Sequence, residues 1–349
     1  MMDERKLKIL AAVVDEYILT GEPVGSKAIS KRPEINVSSA TIRNDMAVLE
    51  QLGYLEQPHT SAGRIPTFTG YRLYIDKLMT AEELSDEEKS RLDAMIDSNE
   101  NITEDSIIQN AAEALAELTQ CAAVVTNTAP KFSVISKVDV IPTGKRLYVI
   151  LLITSNGTIK NKVCRLEFDL DHEQLEFFNK YIEENLEGIS VEELSDETLN
   201  QLITAMGAYT MTLSPLIQSI CELSADLKSN DLRISGEKNL LGCDDIDKME
   251  LINFIERKND FAELLNDSFN GVHIMFGKEQ NNFVVGNSSM IVSQYHKGRE
   301  NAGSLGIIGP MRLNYAKIIP YIEYFTQKIT DLISENDEAD TEHERTDNQ

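Results

Sequence analysis

The sequence lacks the features that would place it in a membrane, in an oxidising compartment or among zinc proteins. Its longest uninterrupted apolar run, residues 147–153, has seven residues, whereas a membrane-spanning helix needs about 20. The first residues, MMDERKLK, contain no apolar stretch of the kind found in signal peptides. The four cysteines lie at least 22 positions apart and form no CxxC pair, which argues against a zinc site and a dense disulfide framework. We therefore expect a soluble, cytoplasmic chain with reduced, buried thiols and no membrane partner.

Signatures of catalysis and cofactor binding are also missing. The glycines of GSLGIIGP, at residues 303–310, match neither GxGxxG nor GxxxxGK[ST], so they are expected to shape strand ends and turns rather than a phosphate loop. The histidines show neither metal-ligand spacing nor a Ser-His-Asp order; they are His59, His172, His273, His296 and His343. The sequence predicts no enzyme activity, no cofactor and no metal site.

Positive charge is scarce over most of the chain. The sequence has 33 Lys+Arg and 58 Asp+Glu, a net charge of −25, which alone argues against a nucleic-acid partner because such binding is dominated by phosphate neutralisation. Residues 1–80, however, hold 10 basic and 10 acidic residues, so the remainder carries the whole excess. This division indicates an acidic body, which DNA repels, and a neutral amino-terminal module that can approach DNA through a locally basic face.

The first 80 residues predict three helices, a short hairpin and a fourth helix. Apolar residues recur at helical spacing, and Ser, Gly and Pro stand where helices would begin and end. The predicted elements are helices over 4–20 and 27–31, the latter capped by Ser26, a helix capped by Ser38 or Ser39 and ending at Leu52, hairpin strands over 54–57 and 64–66, and a helix over 71–79. This order describes a winged helix-turn-helix, whose third helix enters the major groove of DNA.

The third helix carries the predicted contacts to bases. If Ile42 points inward, helical geometry places Arg43 and Asn44 on the outward side, where Arg pairs with guanine and Asn with adenine. The residues predicted to face bases are Ser39, Ala40, Thr41, Arg43, Asn44 and Ala47. Those predicted to contact phosphate, directly before the helix or in the wing, are Lys27, Lys31, Arg32, Ser38, His59, Thr60, Ser61 and Arg64. The alternative is that Arg43 and Asn44 are ordinary solvated residues on an exposed helix.

Residues 81–105 are predicted to form a solvated helical linker. They contain ten acidic and two basic residues, with the capping-box patterns TAEE and SDEE at positions 80 and 85. A helix follows, and strands are predicted over 133–141, 147–154 and 158–168, the last two joined by the turn pair Asn156-Gly157. An antiparallel meander results.

The remaining pattern indicates a domain in two segments with an insertion between them. Residues 171–267 are mainly helical, and strands return after residue 270 before a closing helix over 315–333. We therefore predict one α/β domain formed by residues 106–170 and 268–334, interrupted by residues 171–267. Residues 335–349 contain seven acidic residues and no large apolar one, so this tail is predicted to be disordered.

Two blocks of sequence resemble a known family. KLKILAAVVDEYILTGEPVGSKAISKR, VSSATIRNDMAVLEQLGYLEQPHTSAGRIPT and GYRLYID, within residues 6–76, closely resemble the amino-terminal region of HrcA, a family of heat-inducible transcription repressors. SLGIIGPMRLNYAKIIPYIEYF, at residues 304–325, resembles the carboxy-terminal signature of that family. The two blocks bracket most of the chain, whereas the residues between them match only in general pattern.

The resemblance implies an α+β multidomain protein. Its parts would be a winged helix-turn-helix over residues 1–80, a GAF-like α/β domain with an inserted, mostly helical dimerising domain, and the acidic tail. The resemblance also implies a homodimer that binds an inverted repeat in double-stranded operator DNA ahead of chaperone operons, and dependence on the GroEL chaperonin. Such a repressor would be cytoplasmic, and nucleoid-associated when bound to DNA.

Three hypotheses follow from the sequence. We expect a DNA-binding repressor of heat-shock operons that acts as a dimer without a cofactor and is released on heat stress, with the dimer contact in residues 171–267 and residues 81–105 as a spacer. The alternative is a ligand-responsive regulator that senses a small molecule through the GAF-like domain, which a copurified ligand would favour. The third is an interaction scaffold that never touches DNA.

Overall fold

Helices and antiparallel strands make up two units in the computed structural model. The first unit comprises Met1–Thr126 and Leu232–Gln349, and the second comprises Asn127–Asp231. The structure describes residues 3–59, 62–96, 103–127, 134–155, 157–228, 231–257, 265, 269, 271–277, 285–298 and 300–346. Thr60, Ser61 and Asn156, for which the sequence predicts roles, lie outside these ranges.

The chain begins with helices and a short hairpin, which form the amino-terminal module. Its elements are α1 (Glu4–Thr20), α2 (Ser26–Ile29), α3 (Ser39–Gln51), β1 (Leu55–Glu56), β2 (Ile65–Pro66) and α4 (Phe68–Lys77). It is followed by α5 (Asp86–Ile96), α6 (Glu104–Thr119), β3 (Ala122–Asn127), β4 (Ile135–Gly144), β5 (Leu147–Thr154), β6 (Ile159–Arg165), α7 (His172–Leu186), α8 (Asp196–Ala205) and α9 (Thr210–Lys228). The last elements are β7 (Asp231–Ser235), α10 (Glu237–Leu241), α11 (Lys248–Glu256), β8 (Val272–Phe276), β9 (Ser288–Lys297), β10 (Glu300–Pro310) and α12 (Tyr315–Thr346).

The predicted order of the amino-terminal module is observed because local signals define its helix ends. The backbone N–H of Gly21, which has a φ of 69°, donates to the carbonyl of Tyr17 after α1, a left-handed helix end that glycine adopts without steric cost. Ser38 caps α3 by accepting a hydrogen bond from the backbone N–H of Thr41 at 3.2 Å. The cap of α2 differs from the prediction, because Gly25 stands at that position and Ser26 lies inside the helix.

A five-stranded sheet with the order β7-β3-β10-β9-β8 forms the centre of the first unit. Residues 303–309 of β10 are all buried. A Cβ on Gly306 would lie 2.1 Å from the carbonyl oxygen of Ile291, and one on Gly309 would lie 2.6 Å from the Sγ of Cys121. The glycines of GSLGIIGP therefore allow close packing inside a strand, which corrects the prediction that they shape strand ends and turns.

Both limits of the predicted insertion, residues 171 and 267, differ from the limits of the second unit in the structure. Strands β4, β5 and β6 are the predicted meander, but they form a separate sheet with the order β4-β5-β6 in the second unit. At the other end, β7 lies beside β3 in the first unit's sheet, so residues 232–267 do not belong to the insertion. Side-chain alternation predicts where a strand lies, whereas its partner depends on pairing between distant residues, and this is why the predicted limits were wrong.

The predicted solvated linker is in part a packed helix. Leu92 and Ile96 of α5 are each 2% exposed and belong to the first unit's hydrophobic core. Asp93 accepts a hydrogen bond from the Tyr324 hydroxyl at 2.9 Å and pairs with Lys328 at 3.2 Å, both on α12. The SDEE capping box is present, whereas TAEE starts no helix. Leu92 and Ile96 form a short i, i+4 apolar stripe within this acidic segment, and the stripe packs the helix on the core.

The closing helix is longer than predicted. It continues to Thr346, whereas the sequence predicts a disordered tail from residue 335; residues 347–349 lie outside the described part. The segment 335–346 contains no Gly or Pro, and it contains four Glu and one Ala, which are strong helix formers. Local helix propensity explains why the backbone continues the helix in spite of the acidic composition.

Two predictions concern membranes and thiols. None of the helices in the described part of the chain combines the length and the apolar character that a membrane span requires. All four cysteines are free; Cys121 and Cys164 are buried as predicted, whereas Cys221 and Cys243 are half-buried. Burial raises the pKa of the Cys121 thiol to about 11, so this side chain stays protonated at neutral pH.

The amino-terminal module shares its hydrophobic core with the rest of the first unit. Tyr71 on α4 is buried beside Phe276 of β8 and Tyr315 of α12, with ring-centroid distances of 6.4 and 6.0 Å. Arg72 donates to the Ile274 carbonyl at 3.0 Å, and its guanidinium carbon lies 5.1 Å from the Phe276 ring centroid. The module therefore packs directly on the acidic body, which corrects the prediction that a linker holds the two apart.

Tyr71 provides a test of this packing. Its hydroxyl is buried without a hydrogen-bond partner among the described residues, and an unpaired buried hydroxyl costs about 1–3 kcal/mol. The Tyr71→Phe variant keeps the ring and removes this cost, so its free energy of unfolding should equal or exceed that of the wild type. Urea denaturation followed by circular dichroism measures the difference. A clear loss of stability would mean that the hydroxyl is bonded in solution.

Candidate nucleic-acid interface

Helix α3 is fixed to the module by its inward side. Ile42, Met46 and Leu49 are buried, as the helical spacing predicts. Asp45 is buried as well, and its carboxylate accepts hydrogen bonds from the Arg5 guanidinium on α1 at 2.8 and 3.2 Å. The sequence alone did not indicate this pair, although Asp45 lies on the inward side beside Ile42. Because a bidentate pair restrains orientation, it fixes the rotation of α3 against α1.

The outward side of α3 presents most of the predicted base-reading residues. Ala40, Arg43 and Asn44 are exposed, while Thr41 and Ala47 are half-buried. Neither Arg43 nor Asn44 has a side-chain hydrogen bond or ion pair with any described residue. The guanidinium and the carboxamide are therefore both available for hydrogen bonds to an external partner.

The two serines at the start of α3 have internal roles. The Ser38 hydroxyl caps the helix and lies 3.0 Å from the Thr41 hydroxyl. The Ser39 hydroxyl lies 3.0 Å from that of Ser26 and so joins α3 to α2. Ser39 thus holds the helix-turn-helix geometry, and its hydroxyl is less available to a base than the sequence predicts.

The predicted phosphate-binding cations fall into two groups. Lys27, Lys31 and the predicted phosphate contact His59 are exposed, and no described acidic side chain pairs with either lysine. Arg32 instead pairs with Asp15 at 3.4 Å and with Glu16 at 3.1 Å, both on α1. The structure therefore leaves the lysines available, whereas Arg32 joins the turn after α2 to α1.

A tyrosine completes the contacts around Arg32. The Tyr74 hydroxyl on α4 donates to the Asp15 carboxylate at 2.6 Å, and burial together with this hydrogen bond raises the pKa of Tyr74. Its hydroxyl therefore stays protonated and remains a donor. Asp15 thus connects α1 with α4 and with the turn after α2, and no local sequence signal indicated these contacts between distant residues.

Arg64 is also paired. Its guanidinium contacts Glu50 of α3, and its backbone pairs with Val24 ahead of α2. The sequence predicted Arg64 as a phosphate contact because it is the one cation in the wing. In the structure its guanidinium is paired with the Glu50 carboxylate. Among the described residues, no three His, Cys, Asp or Glu side chains group closely enough to hold a metal ion.

A helical module with an exposed, polar third helix, attached to an α/β body, is typical of transcription regulators. Residues 105–319 match a family model described as "HrcA protein C terminal domain". The Heat-inducible transcription repressor HrcA of Ruminiclostridium cellulolyticum is 34% identical over 342 residues, covering 95% of this chain and 98% of that protein. The protein of the same name from Clostridium perfringens is 32% identical over 337 residues, covering 95% and 99%.

The chain belongs to the HrcA family of heat-inducible transcription repressors, as the resemblance predicted. These relatives are named as repressors and not as enzymes. A solved structure described as a hypothetical protein at 2.2 Å resolution shares the overall fold, with a TM-score of 0.62, 24% identity, and coverage of 96% of this chain and 99% of that one. That similarity supports the mixed α/β architecture.

Proposed function

We propose that this repressor binds an inverted-repeat operator ahead of chaperone operons as a dimer and releases it on heat stress. In this proposal the amino-terminal module is a winged helix-turn-helix, the body of the first unit is a GAF-like domain, and the second unit is the inserted dimerising domain. The observation that carries the proposal is the pair of exposed side chains, Arg43 and Asn44, which have no partner among the described residues and lie on a capped helix.

The charge distribution supports the proposal that the amino-terminal module, and not the acidic body, contacts DNA. Residues 1–80 have no net charge, whereas the rest of the chain carries −25. The exposed Lys27 and Lys31 lie on or just after α2, which directly precedes α3, the proposed reading helix. Lysines at this place position a module on the phosphate backbone, while Arg43 and Asn44 read base edges.

Footprinting on upstream DNA, followed by variant titrations, tests the reading helix. Arg43→Ala should cost about 1–3 kcal/mol on the operator and relax the preference at one base pair, while Lys31→Ala should weaken all sequences alike and lower the salt slope by about one. Both residues are exposed cations, so each variant is the control for the other. If both variants affected operator and random DNA equally, Arg43 would not be a base contact.

The second unit offers a surface for the dimer contact. Ile141, Val149 and Val163 form one row across β4, β5 and β6, and Ile141 and Val163 are 42% and 62% exposed. Helices α7 and α9 pack on the strands from the opposite side, where Tyr148, Ile150 and Leu152 join them in one hydrophobic core. An antiparallel sheet normally alternates apolar and polar residues when one face meets water, whereas this outer face bears an apolar row beside the Lys137–Asp139 ion pair.

We propose that a second copy of the chain covers this open face. An inverted repeat is matched by a two-fold dimer, and one winged helix alone contacts too little DNA for high specificity. Warming that loosens the contact would separate the paired modules and end repression. The dependence on GroEL and the location in the cytoplasm, with nucleoid association on DNA, remain proposals supported by the family relationship.

A further inference from the structure

An ion pair joins the wing of the amino-terminal module, the β1–β2 hairpin, to the reading helix α3. The Nε and Nη2 atoms of Arg64 lie 2.9 and 2.8 Å from the same Oε2 of Glu50, on the last turn of α3. The two side chains are 19% and 33% exposed, so neither is freely solvated. A charge-assisted contact of two nitrogens with one carboxylate restrains direction as well as distance.

The backbone of Arg64 is held from the other side. Its N–H donates to the Val24 carbonyl, and the Val24 N–H donates to the Arg64 carbonyl, both at 2.9 Å. A Cβ on the neighbouring Gly63 would lie 2.4 Å from the carbonyl carbon and oxygen of Val24, so glycine permits this close approach. The base of the wing is therefore fixed between the segment ahead of α2 and the end of α3.

A phosphate contact by Arg64 would have to break this arrangement. If the guanidinium turned to a phosphate, the half-buried Glu50 carboxylate would lose its cation and would itself repel the DNA backbone. Lys27 and Lys31 have no such competing partner among the described residues. The pair as a whole is neutral, so it contributes orientation and little long-range attraction.

We propose that Arg64 is a positioning residue which, through Glu50, sets the wing against the reading helix and does not bind phosphate. This inference rests on the proposed DNA-binding function. The two roles predict opposite signs for Glu50→Gln. A positioning pair loses operator affinity when the carboxylate is neutralised, although a negative charge has been removed. A phosphate-binding arginine gains affinity, because its competitor is gone.

The test is a double-mutant cycle of Glu50→Gln, Arg64→Gln and the double variant, titrated with operator and with random DNA. Each single variant should lose about ten-fold in operator affinity, and the double variant should lose no more than either, as expected for coupled neighbours. The change in affinity for random DNA should stay well below ten-fold, because it reflects only the one unpaired charge, and the salt slope should stay as in the wild type, because no phosphate contact is lost. Lys31→Gln is the matched control, since it should lower the salt slope by about 0.9.

A measurement without DNA separates the two proposals. Hydrogen exchange at the Arg64 amide, which is bonded to Val24, should accelerate in both single variants if the pair holds the wing. Higher operator affinity of Glu50→Gln, a lower salt slope of Arg64→Gln, or unchanged exchange in both variants would overturn the positioning role. A wild-type protein without preference for the operator would instead refute the proposed function, and the exchange rates would still decide whether the pair holds the wing.

Discussion

Replacing Val163 by Glu should convert the repressor to a monomer and lower its operator affinity by about 10²–10⁴-fold. Val163 lies at one end of the apolar row on β6 and is 62% exposed, so the substitution leaves the core of the second unit intact. In a dimer the new carboxylate would be buried without a partner, at a cost of several kcal/mol. Light scattering gives the mass, and titration of the operator gives the affinity.

Met211→Glu is the matched control for this experiment. Met211 lies on α9 in the same unit and is 92% exposed, so the control has the same new charge away from the sheet face. It should remain dimeric and bind the operator as the wild type does. A Val163→Glu protein that stays dimeric would place the contact elsewhere, and a monomer with full operator affinity would show that dimerisation is not needed for binding.

The amino-terminal module could be predicted closely because its signals are local. Ser38, Gly21 and Gly53 mark helix ends within a few residues of the backbone groups they satisfy or the turns they permit. The exposed positions of Arg43 and Asn44 follow from helical geometry once Ile42 is placed inside. These features need no knowledge of distant residues, and the structure agrees with them.

The features that the sequence could not reveal depend on contacts between distant residues. Asp15 and Arg32 are 17 positions apart, and Glu50 and Arg64 are 14 apart, so no periodicity reveals that these arginines are already paired. The same holds for the sheets, where β3 lies beside β10 and β7 although long segments separate them. Composition also led to the wrong prediction of a solvated linker over residues 81–105. The ten acidic residues of this segment outweighed Leu92 and Ile96, the two apolar side chains that pack α5 on the core.

The direct packing of the module on the body changes the physical account of the proposed release on heating. A module held by a solvated spacer would melt independently, whereas one that shares a core with the body is expected to lose its position when that core loosens. In the aromatic cluster of Tyr71, Phe276 and Tyr315, side chains of the module and of the body contact each other within this core. Its packing therefore couples the stability of the body to the orientation of the reading helix.

Phe276→Ala should lower the free energy of unfolding by about 3–5 kcal/mol, since Phe276 is fully buried and its removal leaves a cavity. For a unit of this size, the midpoint of thermal unfolding falls by about 2–4 °C per kcal/mol, and the temperature at which the operator complex dissociates should fall with it. Calorimetry and a temperature series of operator titrations measure the two quantities. Phe168→Ala, at a side chain that is 66% exposed, should leave both unchanged. If Phe276→Ala lowered the unfolding temperature but not the release temperature, release would not depend on this junction.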